Sequence, residues 1–252
     1  MIEAENPYGS HDQLDDKQQQ TKHWRSIFFE LLTITFIIAV ILVLFLPAIR
    51  SPRGPGHSLE CKNYLKNIAL ALHNYAAKNH GELPPAYTVD SAGKPLHSWR
   101  TLILPYIDRR DLYEKVDLSK PWNHPANAEV SKAYVKVYRC PSGETAENYT
   151  TYLAIVAPTG CFRPTEPREI AEITDSAAET LMVIDMSASQ AVPWMSPQDA
   201  DEKMVLDIGV KVASSHPGST NVAFVDGSIG VLNNTSSAAE RRALISISRE
   251  DY

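Results

Sequence analysis

Chemistry in this 252-residue chain could come from histidine, from a run of carboxylates and from cysteine. His216 stands before Pro217-Gly218 and ten residues ahead of Asp226, on the other side of a segment that reads as a strand. An imidazole and a carboxylate that converge can share a proton or a metal ion. A strand of five to seven residues spans ~17–23 Å, so these two meet only if the connection bends. Asp226 with Gly227 is therefore expected to shape a turn, and His216 to hydrogen-bond within a loop. A polar cleft joining His216 to a carboxylate would revive a catalytic reading.

Asp199, Asp201, Glu202 and Asp207 could offer oxygen ligands to Ca²⁺. They lack the spacing of a calcium loop with its central glycine, so a solvated acidic loop is expected and no metal is assigned. The chain has no Gly-x-Ser-x-Gly elbow, no His-Glu-x-x-His and no phosphate-cradling glycine loop with Lys and Ser/Thr. Ser142, Gly143 and Ser228 read as turn residues, and His73 beside Leu72 as a packing histidine. The expectation is a protein that is not an enzyme and holds no cofactor. Trp99, Trp122 and Trp194, with His216, could face a glycan or peptide ligand, although core packing is the ordinary role of tryptophan.

The elements that must position these residues follow one long apolar run. Leu31 to Ile49 carries no charge over 19 residues, enough to span a ~30 Å hydrocarbon core. Thr33 and Thr35 can bond back to preceding carbonyls, and Pro47 suits an exit from the helix. No Ala-x-Ala site follows, so residues 27–49 read as an uncleaved signal anchor. Lysines and arginines lie on both sides of it, so charge alone does not orient the span. A short tail before it and a large domain after it suggest a single-pass protein of the cytoplasmic membrane with the C-terminal domain outside. The lipid bilayer is then one partner. The net charge of -6 argues against nucleic acid.

Residues 1–26 read as a polar disordered tail, 50–57 as a Pro/Gly linker, and 58–252 as an α+β domain. Within that domain Leu59 to Asn79 is predicted as an amphipathic helix, with Leu65, Ile68, Leu72 and Tyr75 on its core face. Gly81 and Pro84-Pro85 stop it. Short helices broken near Pro105 are expected over Ser98 to Ile107. Strands are expected over Tyr134 to Arg139, Thr150 to Val156, Thr180 to Asp185, Asn221 to Val225 and Ser228 to Leu232. Asp226-Gly227 suits a type I′ hairpin turn. Ser237 to Ile247 closes the chain as a helix with Glu240, Arg241 and Arg242 on its wet side.

Several segments together resemble a known family. After the anchor comes Cys61-Lys62-Asn63-Tyr64-Leu65-Lys66-Asn67, then Pro84-Pro85, Ser98-Trp99-Arg100, Leu104-Pro105-Tyr106, Pro121-Trp122 and Cys140-Pro141-Ser142. Val192-Pro193-Trp194, Pro197, Asp199, His216 and Val225-Asp226-Gly227-Ser228 follow. The order resembles the pilin-like, membrane-anchored DUF1559 family of planctomycete bacteria, whose function is unknown. The resemblance implies a pseudopilin-like architecture, in which an anchor helix leads into a helix packed on a mostly antiparallel sheet. Many members carry Gly before Phe-Thr-Leu-Ile-Glu; this chain has Phe28-Phe29-Glu30-Leu31-Leu32-Thr33 with no preceding glycine, which points to an anchor that is not processed. Cys61 and Cys140 fall in family-like motifs and form the natural disulfide pair; two separately buried thiols are the alternative, and Cys161 could compete. Calcium loops in pseudopilins are what lend the acidic cluster its interest. The function this implies is a non-catalytic scaffold or assembly component of the envelope, with envelope proteins or copies of itself as partners. An extracytoplasmic glycan- or peptide-binding module is the alternative.

Overall fold

A computed structural model describes residues 9–49 and 53–248. The chain divides into two units, Met1–Arg53 and Gly54–Tyr252. The first holds helix α1, Gly9–Ile49. Within its stretch Lys22–Val43, the most apolar 18-residue window has a mean hydropathy of 2.6. Among the described residues α1 is the one helix long and apolar enough to cross a membrane. Thr33 donates to the carbonyls of Phe29 and Glu30, and Thr35 to that of Leu31, so neither hydroxyl is left without an acceptor. Helix α1 starts well before the apolar run. Residues 9–26, expected as disordered tail, are helical, because a polar segment with good helix formers such as Gln18-Gln19-Gln20 can propagate a helix already nucleated downstream. Residues 1–8 of that tail lie outside the described residues.

The second unit opens with helix α2, Arg53–Lys78. Residues 53–57 of the expected linker are thus its first turn, where Pro55 loses no hydrogen bond it could have made; residues 50–52 lie outside the described residues. One face of α2 is buried through Cys61, Leu65, Ile68 and Leu72, all with no exposure. Tyr75 is half-buried and meets Tyr106 edge-on at 6.0 Å. The helix ends where the Gly81 N–H returns to the Ala76 carbonyl, with Gly81 at φ 88°.

Five strands form the main sheet: β1 Tyr152–Val156, β2 Leu181–Asp185, β3 Ala200–Asp201, β4 Ser219–Phe224 and β5 Ile229–Asn233. Their order is β5-β4-β2-β1-β3. All neighbours are antiparallel except β1 and β3, which pair in parallel through Ile155 with Ala200. The domain is therefore α+β with a mostly antiparallel sheet. Along β1, Tyr152 and Ala154 join the core beneath α2, while Leu153 and Ile155 join a second core with Val205, Ile208 and Ile245. Both faces of the central strands are covered, which explains why β2 reads as a continuous apolar run instead of an alternation.

Three expectations are corrected. Tyr134 to Arg139 is no strand: Lys136–Tyr138 is a 3₁₀ turn, and the alternation came from Val135 and Tyr138 dipping into the core. The β4–β5 turn is not type I′, since only Gly227 has positive φ, at 78°. Asp226 instead accepts the Ser228 N–H at 2.7 Å, an Asx arrangement that needs no left-handed Asp. In the terminal helix Ala238–Ile245, Arg241 is 1% exposed and lies on no wet side.

Candidate functional site

The resemblance-based cysteine pair meets in space. Cys61, on α2, and Cys140, at the start of an irregular loop, form a disulfide across a sequence separation of 79. Cys161 is free and buried, and burial pushes its thiol up to about 12, so it is a poor nucleophile at neutral pH.

His216 does find a carboxylate, but not Asp226. The partner is Asp185, the last residue of β2, whose Oδ2 lies 3.3 Å from His216 Nε2. Asp185 is fully buried, and the His216 side chain is 9% exposed. Thr151 Oγ1 donates to the other Asp185 oxygen at 2.7 Å. Asn221, on β4, places its amide 2.7 Å from the same His216 Nε2. In neutral imidazole that nitrogen either accepts from Asn221 or donates to Asp185. Among the described residues no hydroxyl hydrogen-bonds to His216 Nε2; its two partners are Asp185 and Asn221. The disulfide lies beside this pair: one donor atom from each of Cys61, Cys140, Asp185 and His216 falls within 4.8 Å of every other.

Sequence reasoning missed Asp185 because it sits 31 residues from His216. A signal was present: a carboxylate closing the apolar run Leu181-Met182-Val183-Ile184 must be buried, and a buried carboxylate requires a partner.

The expected acidic cluster is dispersed. Asp199 turns inward and pairs with Arg100 at 2.6 Å, both essentially buried. Its Oδ1 also accepts from Trp99 Nε1 and the Ala154 N–H. Burial pushes the Asp199 carboxyl up, and Arg100 pulls it back. Asp201 caps the helix Glu202–Leu206 by accepting the Met204 N–H. Glu202 pairs with Arg242, and Asp207 with Lys203. These four acids do not converge on one cation.

Trp99 and Trp194 are 0% and 1% exposed, so neither faces a ligand. The indole of Trp99 serves Asp199, and that of Trp194 donates to the Ala133 carbonyl. Trp122 is half-buried against the core. Aromatic surface is offered elsewhere. A cleft of about 300 Å³ is lined by Glu60, Tyr64, Tyr134, Lys136, Arg139, Pro141, Gly143 and Glu144. Glu60 and Tyr64 come from α2, and Arg139 and Pro141 flank Cys140, so the disulfide ties the two walls together. Tyr64 donates to Glu60, and burial with that carboxylate pushes its phenol above the ordinary value. Lys136 lies 5.9 Å over the Tyr64 ring.

These features define an α+β domain with a disulfide-braced charged cleft, preceded in the chain by a helix of membrane-spanning length. The model of a family described as a protein of unknown function (DUF1559) matches residues 58–157, so a domain of that family is present over that part of the chain. The match takes in α2 from Ser58 onward, both disulfide cysteines and Arg100, and ends before Asp185, Asp199 and His216. No curated protein and no solved structure matches the chain.

Proposed function

We propose that this protein is a non-catalytic ligand-binding module, anchored in the cytoplasmic membrane by α1 with the α+β domain outside. The observation that carries the reading is the cleft beside the disulfide. Its volume lies at the low end of small-ligand sites. It combines two phenols with charges of both signs, Lys136 and Arg139 against Glu60 and Glu144. That lining suits a short peptide, whose carboxylate meets the cations, whose ammonium meets the carboxylates and whose apolar portion stacks on tyrosine. A neutral glycan would leave the charges unused. The scaffold reading rests on the anchor and the pseudopilin resemblance, whereas the cleft belongs to the folded domain. A disulfide bracing the cleft suits an oxidising compartment, in keeping with an outward-facing domain.

The test is thermal unfolding of the full chain in lipid nanodiscs with panels of short peptides and of neutral oligosaccharides. Peptides should raise the melting temperature, and Arg139→Glu should abolish the rise while leaving the ligand-free melting temperature nearly unchanged. Stabilisation by oligosaccharides alone, or a peptide effect indifferent to Arg139→Glu, would overturn the assignment.

A further inference from the structure

Two pairs of donors meet here, the bonded sulfurs of Cys61 and Cys140 and the His216–Asp185 couple. Two sulfurs, an imidazole nitrogen and a carboxylate oxygen are the donor types that bind Zn²⁺ tetrahedrally. In such a site sulfurs stand ~3.7 Å apart and sulfur and nitrogen ~3.5 Å, from metal–ligand lengths of ~2.3 and ~2.0 Å. The present donors, within 4.8 Å of one another, need only small side-chain shifts to close on a metal once the sulfurs part.

The surroundings also have the form of an outer shell. Thr151 holds one oxygen of Asp185 and leaves the other turned toward His216. Ser142 Oγ lies 3.5 Å from Cys61 Sγ, placed to donate to a thiolate. Hydrogen bonds of this type orient ligands and tune affinity in known metal sites. His216, the least buried of the four, leaves an approach from solvent. While the sulfurs are bonded to each other they cannot be thiolate ligands, so the covalent link and the metal are mutually exclusive.

We infer that Cys61, Cys140, Asp185 and His216 form a redox-gated Zn²⁺ site, closed to metal as the disulfide and open when it is reduced. A small dithiol supplies the reduction: it gives two electrons and two protons, the Cys61–Cys140 bond breaks, two thiols form, and the dithiol closes to its own disulfide. Zn²⁺ then displaces the two thiol protons to solvent and forms two Zn–S bonds, with His216 Nε2 and an Asp185 oxygen completing the set. Either cross-link, covalent or metallic, ties α2 to the loop at Cys140. The inference does not depend on what the cleft binds.

The experiment uses the full chain in nanodiscs, with Co²⁺ as the spectroscopic probe and Zn²⁺ as competitor. The chain is reduced with a phosphine, the reductant is removed, and a thiol titration verifies that all three cysteines are free. Reduced protein should take up one Co²⁺ per chain with thiolate-to-cobalt charge-transfer bands, and Zn²⁺ should displace it; oxidised protein should show neither. Cys161→Ser should keep the bands and Cys61→Ser should lose them. His216→Ala and Asp185→Asn should each weaken Co²⁺ binding by at least about tenfold. Fully reduced protein without the bands, or bands whose affinity is indifferent to both His216→Ala and Asp185→Asn, would overturn the inference. Far-UV circular dichroism keeps the test decisive if reduction unfolds the domain: Zn²⁺ must then restore the folded spectrum, and its failure to do so counts equally against the site.

Discussion

Arg100 and Arg241 solve one problem in two ways. Each is a fully buried guanidinium on a short helix, Arg100 on α3 (Trp99–Leu102) and Arg241 on the terminal helix. Arg100 spends its N–H groups on Asp199 and on the carbonyls of Tyr152, Trp194, Ser196 and Gln198. Arg241 bonds to the carbonyls of Val205, Leu206, Ile208, Asn233 and Asn234, and its Nε is buried without a partner. Burial pushes the Arg241 guanidinium below its ordinary value, yet it stays a cation at any physiological pH. Carbonyls at the end of a helix carry partial negative charge, so backbone dipoles take the place of the carboxylate. The difference is one of reversibility. A cation matched by an anion can be erased together with its partner, whereas a cation matched by the backbone has no partner to remove.

The largest expected effect comes from breaking the ion pair on one side. Arg100→Ala strands Asp199 and several carbonyls in the core and should cost about 3–5 kcal/mol in chemical denaturation. Combining Arg100→Met with Asp199→Asn should cost less than the sum of the single changes by about 0.5–3 kcal/mol. Strict additivity would place the two charges in independent environments and dissolve the contrast with Arg241.

Arg241→Ala ranks next, at about 2–3 kcal/mol, because it frees dipoles and leaves no buried anion behind. A cost equal to that of Arg100→Ala would mean that carbonyls alone hold a cation as firmly as a carboxylate does. At the turn of the β4–β5 hairpin, Gly227→Val should cost about 1–3 kcal/mol from positive φ. A Cβ there would meet the His73 ring only at 3.5 Å, so the penalty is conformational and Gly227→Ala should show most of it.

The smallest effect is expected at Asp226. Its carboxyl is held below the usual range by hydrogen bonds from Ser228, with Lys66 and His73 adding to the pull. A carboxyl lowered in the folded state stabilises above its unfolded pKa of ~4 and loses that contribution as pH falls through the folded value. Asp226→Asn keeps an oxygen that can accept the Ser228 N–H and loses only the charge of a well-exposed carboxylate, so it should cost little at pH 7 and flatten the acid limb of a melting-temperature profile. A large neutral-pH loss would assign the side chain more than a turn.

What the sequence made legible follows from the range over which each signal acts. The stripe Leu65, Ile68 and Leu72 announced α2, and four of the five main strands coincide with apolar runs, because periodicity is local and burial imposes it directly. β3 did not announce itself: Ala200–Asp201 is two residues long and reads as part of an acidic loop. Charge misled for the same reason. Arg241 beside Arg242 looks like a solvated pair, and Asp199 beside Asp201 like a surface cluster, until residues about 100 positions away supply Arg100. The proximity of His216 to Asp185 and the cysteines likewise depends on the order of strands, which no local pattern encodes.

The Cys61–Cys140 bond also closes the chain on itself. Everything between, including the exposed stretch around Lys115 and Lys120, belongs to one covalent ring. A single protease cut inside that ring opens it without releasing either piece, so the nicked protein should migrate as one species on a non-reducing gel and separate only after reduction. The irregular, proline-rich part of the domain can thus be severed once and still remain attached to the helix it packs against.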